Sequence, residues 1–489
     1  MQDLCLGFDV GTQGTKAIVV APASGQIVAR AAAPHRLVEG LPPGHFEQQP
    51  AGWLDAVVAC AHEVASQIDV QRLAGLGVSG QQHGAVLLDD GGQVVRPAKL
   101  WCDTATAAEA RELGQRLSRR VPTGFTASKL LWCARHEPER WARVRRVLLP
   151  HDYVNWWLTG VATMEAGDAS GTGFFDPGTR SFDAAAMAAI DARLPALLPP
   201  LLPAGALAGR LTAAAAAQLG LPAGLPVSTG GGDNMMSAIG SGATSAGVVV
   251  VSLGTSGTIF ARTESPVVDP DGLIAAFCSS DGAYLPLLCV MNLTGVTEEV
   301  KALTGLDHAA LTAAASAVRP GADGLLWLPF LVGERVPDLP EATGTLLGVR
   351  PGCLRPGHLY RAALEGTSLN LNMGLDRLRG LGLLVDEVRL TGGAAQNGLW
   401  RQVLADTFGV PVAVLEETES AALGAALQAS WAVRRAAGEP DLRCEQVAAP
   451  AVRLGARTSP QPRLQPAYAA LRVGFAAALE RLHPGAAPA

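Results

Sequence analysis

The feature that most constrains the fold is a short unit that occurs twice, a Gly/Thr turn set between two apolar runs. The first copy is DVGTQGTK at residues 9–16, and the second is SLGTSGTI at residues 252–259. Aligning Gly11 with Gly254 also matches the second glycine and both threonines of the two turns. Such a repeat is typical of an internal duplication. We therefore predict two related halves, each beginning with a strand, this turn and a second strand.

Each copy opens a series of strand-like segments that predicts a mixed α/β fold. The first half contains LCLGFDV, KAIVVA and QIVARAAA, then a helical pattern over 48–68 and the buried strand LAGLGVSG. The second half begins in the same way with AGVVVVSL, IFART and AYLPLLCVM. This order predicts two ribonuclease H-like domains of the actin and hexokinase type, covering residues 1–245 and 246–489, with an active-site cleft between them.

Composition argues against several classes of function. The 489-residue chain is 48% hydrophobic and 17% charged, with a formal net charge of −6, and it has no Lys/Arg-rich run. This balance predicts a globular protein without a nucleic-acid partner. The start MQDLCLGFDVG lacks a secretory pattern, and no apolar run reaches the ~18 residues of a membrane span. We expect a cytoplasmic protein with no membrane partner and with free thiols; a homodimer is left open.

Both Gly/Thr turns are suited to phosphate binding. Gly-rich turns direct backbone N–H groups into one concavity, and neighbouring hydroxyls add further donors. One such turn alone is more often an ordinary hairpin, but a pair at the heads of two facing domains indicates a polyphosphate held from both sides. The predicted phosphate ligands are Gly11, Thr12, Gln13, Thr15 and Lys16 in the first turn, and Gly254, Thr255 and Ser256 in the second.

Only the first copy carries charged side chains. Asp9 corresponds to Ser252 in the second copy, and Lys16 corresponds to Ile259. A carboxylate beside a phosphate site repels the ligand unless a cation lies between them, so Asp9 is predicted to hold Mg²⁺ directly or through water. Lys16 is equally consistent with a phosphate contact and with a solvated side chain.

The stretch PVSTGGGDNMMSA, at 226–238, contains the candidate catalytic residue. Three glycines let the backbone approach a ligand closely, and Asp233 follows them at the start of a helix-like segment. The alternative is an N-cap aspartate, although an N-cap does not require a triple glycine. A carboxylate that accepts the proton of a sugar hydroxyl makes that hydroxyl a competent nucleophile for a phosphoryl group. Asp233 is therefore the predicted general base.

Together these motifs resemble the FGGY family of carbohydrate kinases over nearly the whole chain. DVGTQGTK and GTSGT are similar to the two phosphate loops of the family, and GGGDN is similar to the loop with its catalytic base. Further similar stretches are GFTASKLLWCARHEP at 124–138, LPFLVGERVP at 328–337, TGGAAQNGLWRQVLAD at 391–406 and ESAALGAAL at 419–427. The resemblance implies ATP as the phosphoryl donor.

The family resemblance also implies where the nucleotide binds. In the family, the Gly-Gly-Ala-x-x-Asn stretch forms much of the adenosine pocket, which implies that Gly392, Gly393, Ala394 and Asn397 lie near the nucleotide. The residues alone predict a strand, EVRLT, followed by a Gly-rich turn and a helix. Such a turn is common in nucleotide sites, but it is also an ordinary strand-to-helix connection.

The stretch SGQQHG, at 79–84, is the candidate sugar site. It follows a buried strand at the end where open α/β sheets bind ligands, and Gln82 and His83 offer donors and acceptors to a polyol. A lone histidine is more often a core residue. The stretch is similar to the branch of the family that phosphorylates D-xylulose, which implies that Gln82, His83, Asp233 and Asn234 bind that sugar. HDYVNWWLTG, at 151–160, and the Asp168 segment EAGDASGTG also resemble this branch.

The leading hypothesis is an ATP-dependent kinase that makes D-xylulose 5-phosphate. Many relatives have arginine where this chain has Ala105, so a sibling kinase acting on ribulose, L-xylulose, gluconate or glycerol is the closest alternative. An ATP-gated interaction module of the actin or Hsp70 kind shares the paired turns but does not need the GQQHG and GGGDN stretches. A catalytically silent relative is disfavoured because Asp9, both turns and Asp233 are intact.

Overall fold

The computed structural model describes residues 3–486 of the chain. Within these residues the strands form two large mixed sheets of seven strands each, together with several two-stranded ribbons. The first sheet contains β1 (Leu4–Val10), β2 (Gly14–Ala21), β3 (Gln26–Pro34), β4 (Leu73–Gly80), β5 (Leu207–Arg210), β6 (Pro226–Ser228) and β7 (Gly231–Gly232). The second contains β8 (Gly247–Leu253), β9 (Gly257–Ala261), β10 (Ala275–Cys278), β11 (Tyr284–Val290), β12 (Val385–Thr391), β13 (Val412–Leu415) and β14 (Leu454–Thr458).

The helices connect the strands and cover both sheets. In the first half they are α1 (Pro50–Ala65), α2 (Ala107–Leu117), α3 (Thr126–His136), α4 (Pro138–Arg143), α5 (Pro150–Thr159), α6 (Ala166–Ala169), α7 (Ala184–Ile190), α8 (Leu194–Leu197), α9 (Ala213–Leu219) and α10 (Asp233–Gly240). In the second half they are α11 (Thr294–Thr304), α12 (His308–Ser316), α13 (Pro356–Gly380), α14 (Gly398–Phe408), α15 (Ser420–Ala436), α16 (Cys444–Ala448) and α17 (Gln465–Leu482).

The first sheet is built around an antiparallel meander. β1 pairs with β2, β2 pairs with β3, and β4 lies parallel to β1 on its other side. Side chains of β1 alternate between two apolar layers, because Leu6 and Phe8 pack with α1 while Cys5 packs with α15. This arrangement is the ribonuclease H-like order that the sequence predicts.

The second sheet repeats the meander of the first. β8 pairs with β9, β9 pairs with β11, and β12 lies parallel to β8 as β4 lies parallel to β1. β10 adds an edge strand beside β11, and β13 and β14 extend the opposite side. The long helix α13 covers one face of this sheet. The predicted duplication is therefore present in the strand pairing as well as in the sequence.

Two helices pack against each other between the sheets. α15 covers the inner face of the first sheet, and α10 packs Met235 and Ala238 toward the second sheet. The helices cross at glycines: a Cβ on Gly424 would lie 1.8 Å from the carbonyl oxygen of Met236, and one on Gly240 would lie 1.9 Å from that of Ser420. The crossing fixes α10, whose first residue is Asp233. The predicted domain boundary at 245 falls between α10 and β8.

Two further expectations concern membranes and cysteines. No helix between residues 3 and 486 combines the length and apolar character needed to cross a membrane. All eight cysteines are free thiols, as predicted, and most of them are buried.

Candidate active site

Three segments of the first sheet emerge at one edge. Asp9 at the end of β1 lies opposite Ser79 of β4, and Ser79 in turn lies opposite Gly231 of β7. The first Gly/Thr turn, the SGQQHG stretch and Asp233 therefore leave the sheet side by side. These motifs are far apart in the sequence, and the parallel register of the sheet brings them together.

The second sheet has a matching edge. Ser252 of β8 lies opposite Thr391 of β12, so the second Gly/Thr turn and the stretch beginning at Gly392 leave the sheet together. Gly392 has a φ of 91°, and a Cβ on it would lie 2.5 Å from the carbonyl oxygen of Leu253. Only glycine fits this close approach of two backbones. The two nucleotide motifs predicted from the sequence are thus neighbours.

The two edges meet across a cleft. The ring of His83 stacks on Phe125 with centroids 4.6 Å apart, and it lies 6.1 Å from the ring of Phe277 in β10. Burial raises the pKa of the Cys289 thiol in β11, and the nearby charge of Asp233 adds to this effect. Residues of the predicted sugar site therefore contact or face strands of the second sheet, as a cleft between two domains requires.

Three of the four predicted sugar ligands, Gln82, Asp233 and Asn234, are linked by side-chain hydrogen bonds. The side-chain amide of Asn234 donates to Gln82 Oε1 at 2.9 Å and to Asp233 Oδ1 at 3.1 Å. Gln82 Nε2 is buried and has no hydrogen-bond partner within residues 3–486. A buried donor left unpaired costs free energy, so a ligand hydroxyl that accepts from Gln82 Nε2 gains that missing bond.

His83 presents a neutral imidazole to this site. Its Nδ1 lies 2.9 Å from the carbonyl oxygen of Gly171, which can only accept, so Nδ1 carries the proton. Burial, with a smaller contribution from the charge of Lys129, lowers the pKa of His83 to about 3. Nε2 is therefore an acceptor at neutral pH. His83 also has a φ of 66°, an uncommon conformation outside glycine that is found at functional sites.

Asp233 is the first residue of α10, and Gly232 is its N-cap. The alternative of an N-cap aspartate is therefore wrong. Oδ1 of Asp233 accepts a hydrogen bond from the backbone N–H of Asn234 at 2.8 Å. Burial, followed by the charges of Asp9 and Asp168, raises the pKa of Asp233 to about 8. A carboxylate of this basicity is suited to accept a proton near neutral pH.

Asp9 has the properties of a cation ligand. Its Oδ1 accepts from Ser79 Oγ at 2.8 Å. Burial raises the pKa of Asp9, while the Ser79 bond and the Lys16 charge oppose that rise. Asp9 also contributes to the raised pKa of Asp233, so the two like charges disfavour each other. One or two carboxylates beside a phosphate site match the oxygen donors that Mg²⁺ takes from a protein.

The two threonine hydroxyls of the first turn are engaged within the protein. Thr12 Oγ1 donates to Gln81 Oε1 at 3.0 Å and accepts from Trp101 Nε1 at 2.9 Å. Thr15 is fully buried, and its hydroxyl lies 2.9 Å from His35 Nε2. These two predicted phosphate ligands therefore brace the turn through their side chains. Thr15 is also paired on both sides within the first sheet, so its burial leaves it out of reach of a phosphate, whereas Thr12 is only half-buried.

The other predicted residues of the first turn are more accessible. Gln13 is exposed, and Gly11 N–H donates to the carbonyl of Gly14 at 3.0 Å across the turn. Lys16 Nζ lies 2.5 Å from Glu419 Oε2, in the segment that leads into α15. The sequence is consistent with a phosphate contact or a solvated side chain for Lys16. The structure shows a third arrangement, an ion pair that joins the two halves of the chain.

The second turn has the opposite character. Thr255 and Ser256 are exposed, and no hydrogen bond between residues 3 and 486 engages either hydroxyl. The carbonyl of Gly254 accepts from the N–H of Thr294 at 3.1 Å, so α11 begins beside the turn. Exposed hydroxyls and a nearby helix N-terminus both favour an anionic ligand.

The predicted adenosine residues follow β12. Gly393 is exposed and Ala394 is half-buried, at the start of a short 3₁₀ turn. Asn397 caps α14, because its Oδ1 accepts from the N–H groups of residues 399 and 400. Its Nδ2 donates to Thr312 Oγ1 at 3.0 Å. The side chain of Asn397 thus has a structural role, and its contact with a nucleotide stays a prediction.

One cluster outside the cleft has the spacing of metal ligands. It consists of His45, Glu47 and Asp103. The buried ammonium of Lys99 lies among them, 3.0 Å from Glu47 Oε1 and 3.1 Å from Asp103 Oδ2. A lysine thus occupies the position of a cation, and we assign no metal to this cluster.

Ala105, the position that departs from many relatives, follows Asp103 on the same loop, and its N–H donates to the carbonyl of Gly44.

Several residues of the site were not predicted. Ser79 and Gln81 lie within the SGQQHG stretch but were not named as site residues, and the parallel pairing of β4 with β1 places Ser79 beside Asp9. Phe277 comes from a distant segment with no local signal. Glu419 opens the stretch ESAALGAAL, which resembles the family, but that stretch does not indicate its contact with Lys16. Trp101 lies four residues before Ala105, and no local pattern indicates its bond to Thr12.

Comparison with known proteins agrees with this geometry. The N-terminal domain of the FGGY family of carbohydrate kinases matches residues 4–240, and the C-terminal domain matches residues 249–433. Xylulose kinase of Haemophilus influenzae is 40% identical over 458 residues, which are 90% of this chain and 92% of that protein. Xylulose kinase of Streptomyces rubiginosus is 38% identical over 444 residues, 87% of each chain. The crystal structure of xylulose kinase from Rhodospirillum rubrum gives a TM-score of 0.89 at 30% identity and covers 99% of both chains. The chain belongs to the FGGY family of carbohydrate kinases.

Proposed function

We propose that this kinase transfers a phosphoryl group from ATP to D-xylulose and produces D-xylulose 5-phosphate. The observation that carries the proposal is the hydrogen-bonded group of Gln82, Asp233 and Asn234 at the first sheet edge, with His83 next to Gln82 in the chain. It offers a polyol an unpaired amide donor, an imidazole acceptor and a basic carboxylate. The xylulose kinases at 30–40% identity support this choice of sugar.

Asp233 is the proposed general base. As the sugar hydroxyl oxygen attacks the γ-phosphorus, its proton passes to the Asp233 carboxylate, and the bond between the γ-phosphorus and the β–γ bridging oxygen breaks to leave ADP. The raised pKa of Asp233, about 8, supports this role because a more basic carboxylate accepts the proton more readily. Gln82 and His83 orient the sugar, and orientation contributes to rate by fixing the reacting atoms in line.

Asp9 is the proposed ligand of Mg²⁺, directly or through water. When bound, the ion would neutralise charge on the phosphates of ATP and orient them. The support is the pair of half-buried carboxylates, Asp9 and Asp233, because the charge of Asp9 raises the pKa of Asp233 and a cation between them would relieve that repulsion.

The triphosphate is proposed to lie between the two Gly/Thr turns, with the adenosine against the stretch after β12. Because the first turn uses its threonine hydroxyls internally, its contribution would come from backbone N–H groups, Gln13 and Lys16. The second turn would contribute the exposed hydroxyls of Thr255 and Ser256. We also propose a cytoplasmic location, since use of ATP and free thiols are both typical of that compartment.

A substrate panel tests the proposal. Purified protein with Mg-ATP is assayed for ADP release with D-xylulose, D-ribulose, L-xylulose, gluconate and glycerol. We expect the highest kcat/KM for D-xylulose, and mass spectrometry of the product should show one added phosphate. A higher kcat/KM for another compound would replace the proposed sugar, and no release above that of Asp233→Ala with any of them would overturn the activity.

A further inference from the structure

A buried charge cluster lies behind the sugar site, and the proposed chemistry does not use it. His151 of α5 stands between two carboxylates, with Nδ1 2.6 Å from Asp168 Oδ2 and Nε2 3.0 Å from Asp152 Oδ1. All three side chains are fully buried. Burial opposes a charge on His151, but the two carboxylates outweigh it and hold the pKa of the imidazole well above its usual range. Only the contact with Asp168 has the geometry of a hydrogen bond, because His151 Nε2 and Asp152 Oδ1 have no hydrogen-bond partner within residues 3–486. Asp168 is therefore the carboxylate that holds the His151 ring.

The cluster anchors the segment 165–173. Glu165 caps the short helix α6 by accepting from the N–H groups of Gly167 and Asp168, at 2.8 and 2.6 Å. The carbonyl of Asp168 accepts from the N–H of Gly171 at 3.0 Å, which closes the following turn. Asp168 is therefore tied to His151 through its side chain and to Gly171 through its backbone.

The same turn supports the ring of His83. The carbonyl of Gly171 accepts from His83 Nδ1, and a Cβ on Gly171 would lie only 2.2 Å from that nitrogen. In the same turn, Ser170 Oγ accepts from the N–H of Cys278 at 3.0 Å. Cys278 follows Phe277, whose ring faces His83 from the second sheet. The turn therefore contacts both the imidazole and the strand that packs beside it.

This support decides which nitrogen of His83 faces a ligand as an acceptor. A carbonyl can only accept, so its contact with Nδ1 selects the tautomer that is protonated at Nδ1. Nε2 is then left with a lone pair for the hydroxyl of a sugar. If the Gly171 carbonyl moved away, the two tautomers of the neutral ring would become closer in free energy, and the acceptor would be present only part of the time.

We propose that Asp168 is a positioning residue for the sugar site: through His151 it holds the 165–173 turn, and through the Gly171 carbonyl that turn holds His83 with Nε2 free to accept from the sugar. The proposal rests on the proposed function in taking D-xylulose as the sugar. One oxygen of Asp168, Oδ1, has no hydrogen-bond partner within residues 3–486, so within these residues the contact with His151 is the only side-chain hydrogen bond that Asp168 makes.

Kinetics of Asp168→Asn in the full chain provide the first test. The amide keeps the shape of the side chain but removes the ion pair, and misplacing a substrate-orienting group by about 1 Å costs up to about 100-fold. We expect the KM for D-xylulose to rise about 10–100-fold while the KM for ATP changes less than about two-fold. Asp176→Asn is the matched control, because the Asp176 carboxylate lies nearby and, within residues 3–486, accepts hydrogen bonds only from Gly178 and Thr179. It should leave both KM values unchanged.

The protonation state of His83 provides the second test, and it does not depend on turnover. In protein labelled with ¹⁵N-histidine, the His83 signals are those that disappear in His83→Gln. The unmodified protein should show His83 protonated at Nδ1 alone, and Asp168→Asn should show a mixture of both tautomers. If Asp168→Asn does not fold, His151→Gln removes the same ion pair from the other side and is examined in its place.

Three results would overturn the proposal. They are a His83 protonated at Nε2 in the unmodified protein, an Asp168→Asn variant with unchanged tautomer and unchanged KM for the sugar, and equal increases in the KM of sugar and ATP. If the unmodified protein did not phosphorylate D-xylulose, the proposed function would fail while the histidine spectrum still tested the positioning role.

Discussion

The two sheet edges carry nearly the same turn and use its side chains in opposite ways. At the first edge, the hydroxyls of Thr12 and Thr15 are bonded inside the protein, and Asp9 lies beneath the turn. At the second edge, the hydroxyls of Thr255 and Ser256 are exposed, and serine stands where the first copy has aspartate. The same backbone turn therefore offers different groups at the two edges. We propose that the carboxylates of the first edge serve the chemistry and that the exposed donors of the second edge bind the nucleotide.

The largest expected effect is that of Asp233→Asn, which removes the general base proposed at the first edge. Asp233→Asn keeps the shape of the side chain but cannot accept the proton, so kcat should fall by about 10²–10⁴. The KM for ATP should change less than about two-fold, because the second edge is untouched. Steady-state kinetics with D-xylulose and Mg-ATP measure both values. A variant that kept most of its turnover would remove Asp233 as the base.

Asp9→Asn tests the difference between the two turns, because it removes the carboxylate charge that the first turn has and the second lacks. The hydrogen bond from Ser79 can persist with the amide oxygen, so the turn should keep its conformation. The Mg²⁺ concentration for half-maximal rate should rise about ten-fold or more, because the carboxylate charge attracts the cation. A Mg²⁺ titration of the rate at fixed ATP checks this, with Asp176→Asn as the control. An unchanged titration would reject the metal role.

The third prediction compares the two turns directly. The double variant Thr255→Val with Ser256→Ala removes two exposed hydroxyls, and the KM for ATP should rise about 5-fold or more, as expected for the loss of two hydrogen bonds of about 0.5–1.5 kcal/mol each. Thr12→Val should instead leave that KM within about two-fold and lower the free energy of unfolding by about 1 kcal/mol. Urea titration and kinetics of both variants measure these changes. If Thr12→Val had the larger effect on the KM for ATP, the two roles would be reversed.

The smallest expected effect concerns stability. The pKa of Asp233 is about 8 in the folded protein, against about 4 in an unfolded chain, so the folded state disfavours its ionised form. The resulting destabilisation is absent below pH 4, grows as the pH rises, and is complete above pH 8. Asp233→Asn should therefore raise Tm by ~2 °C or more at pH 9 and by little at pH 4. Scanning calorimetry without ligands tests this, and a gain that was equal at both pH values would contradict the burial of this charge.

The fold was predictable because local sequence patterns specify its strands and turns, and because the strand–turn–strand unit occurs twice. Apolar alternation, Gly-rich turns and their repetition indicated the meanders and the cleft, and the triple glycine indicated Asp233. The orientation of side chains within the first turn was not predictable. Thr15 looks like a phosphate ligand beside its glycine, and only the position of His35, at the end of β3, shows that its hydroxyl points inward. Partners such as Phe277 and Glu419 depend on how distant segments pack, which a single sequence does not encode in any local pattern.

The placement of α15 has a consequence for the biosynthesis of the protein. This helix is made near the end of translation, yet it covers the face of the first sheet formed by Cys5, Ile18 and Val20. Until residue 436 has left the ribosome, that apolar face has no cover, although its own strands were among the first to be synthesised. The first sheet is therefore synthesised early, but its apolar face is buried only near the end of translation. Over most of its synthesis the nascent chain must be protected from aggregation.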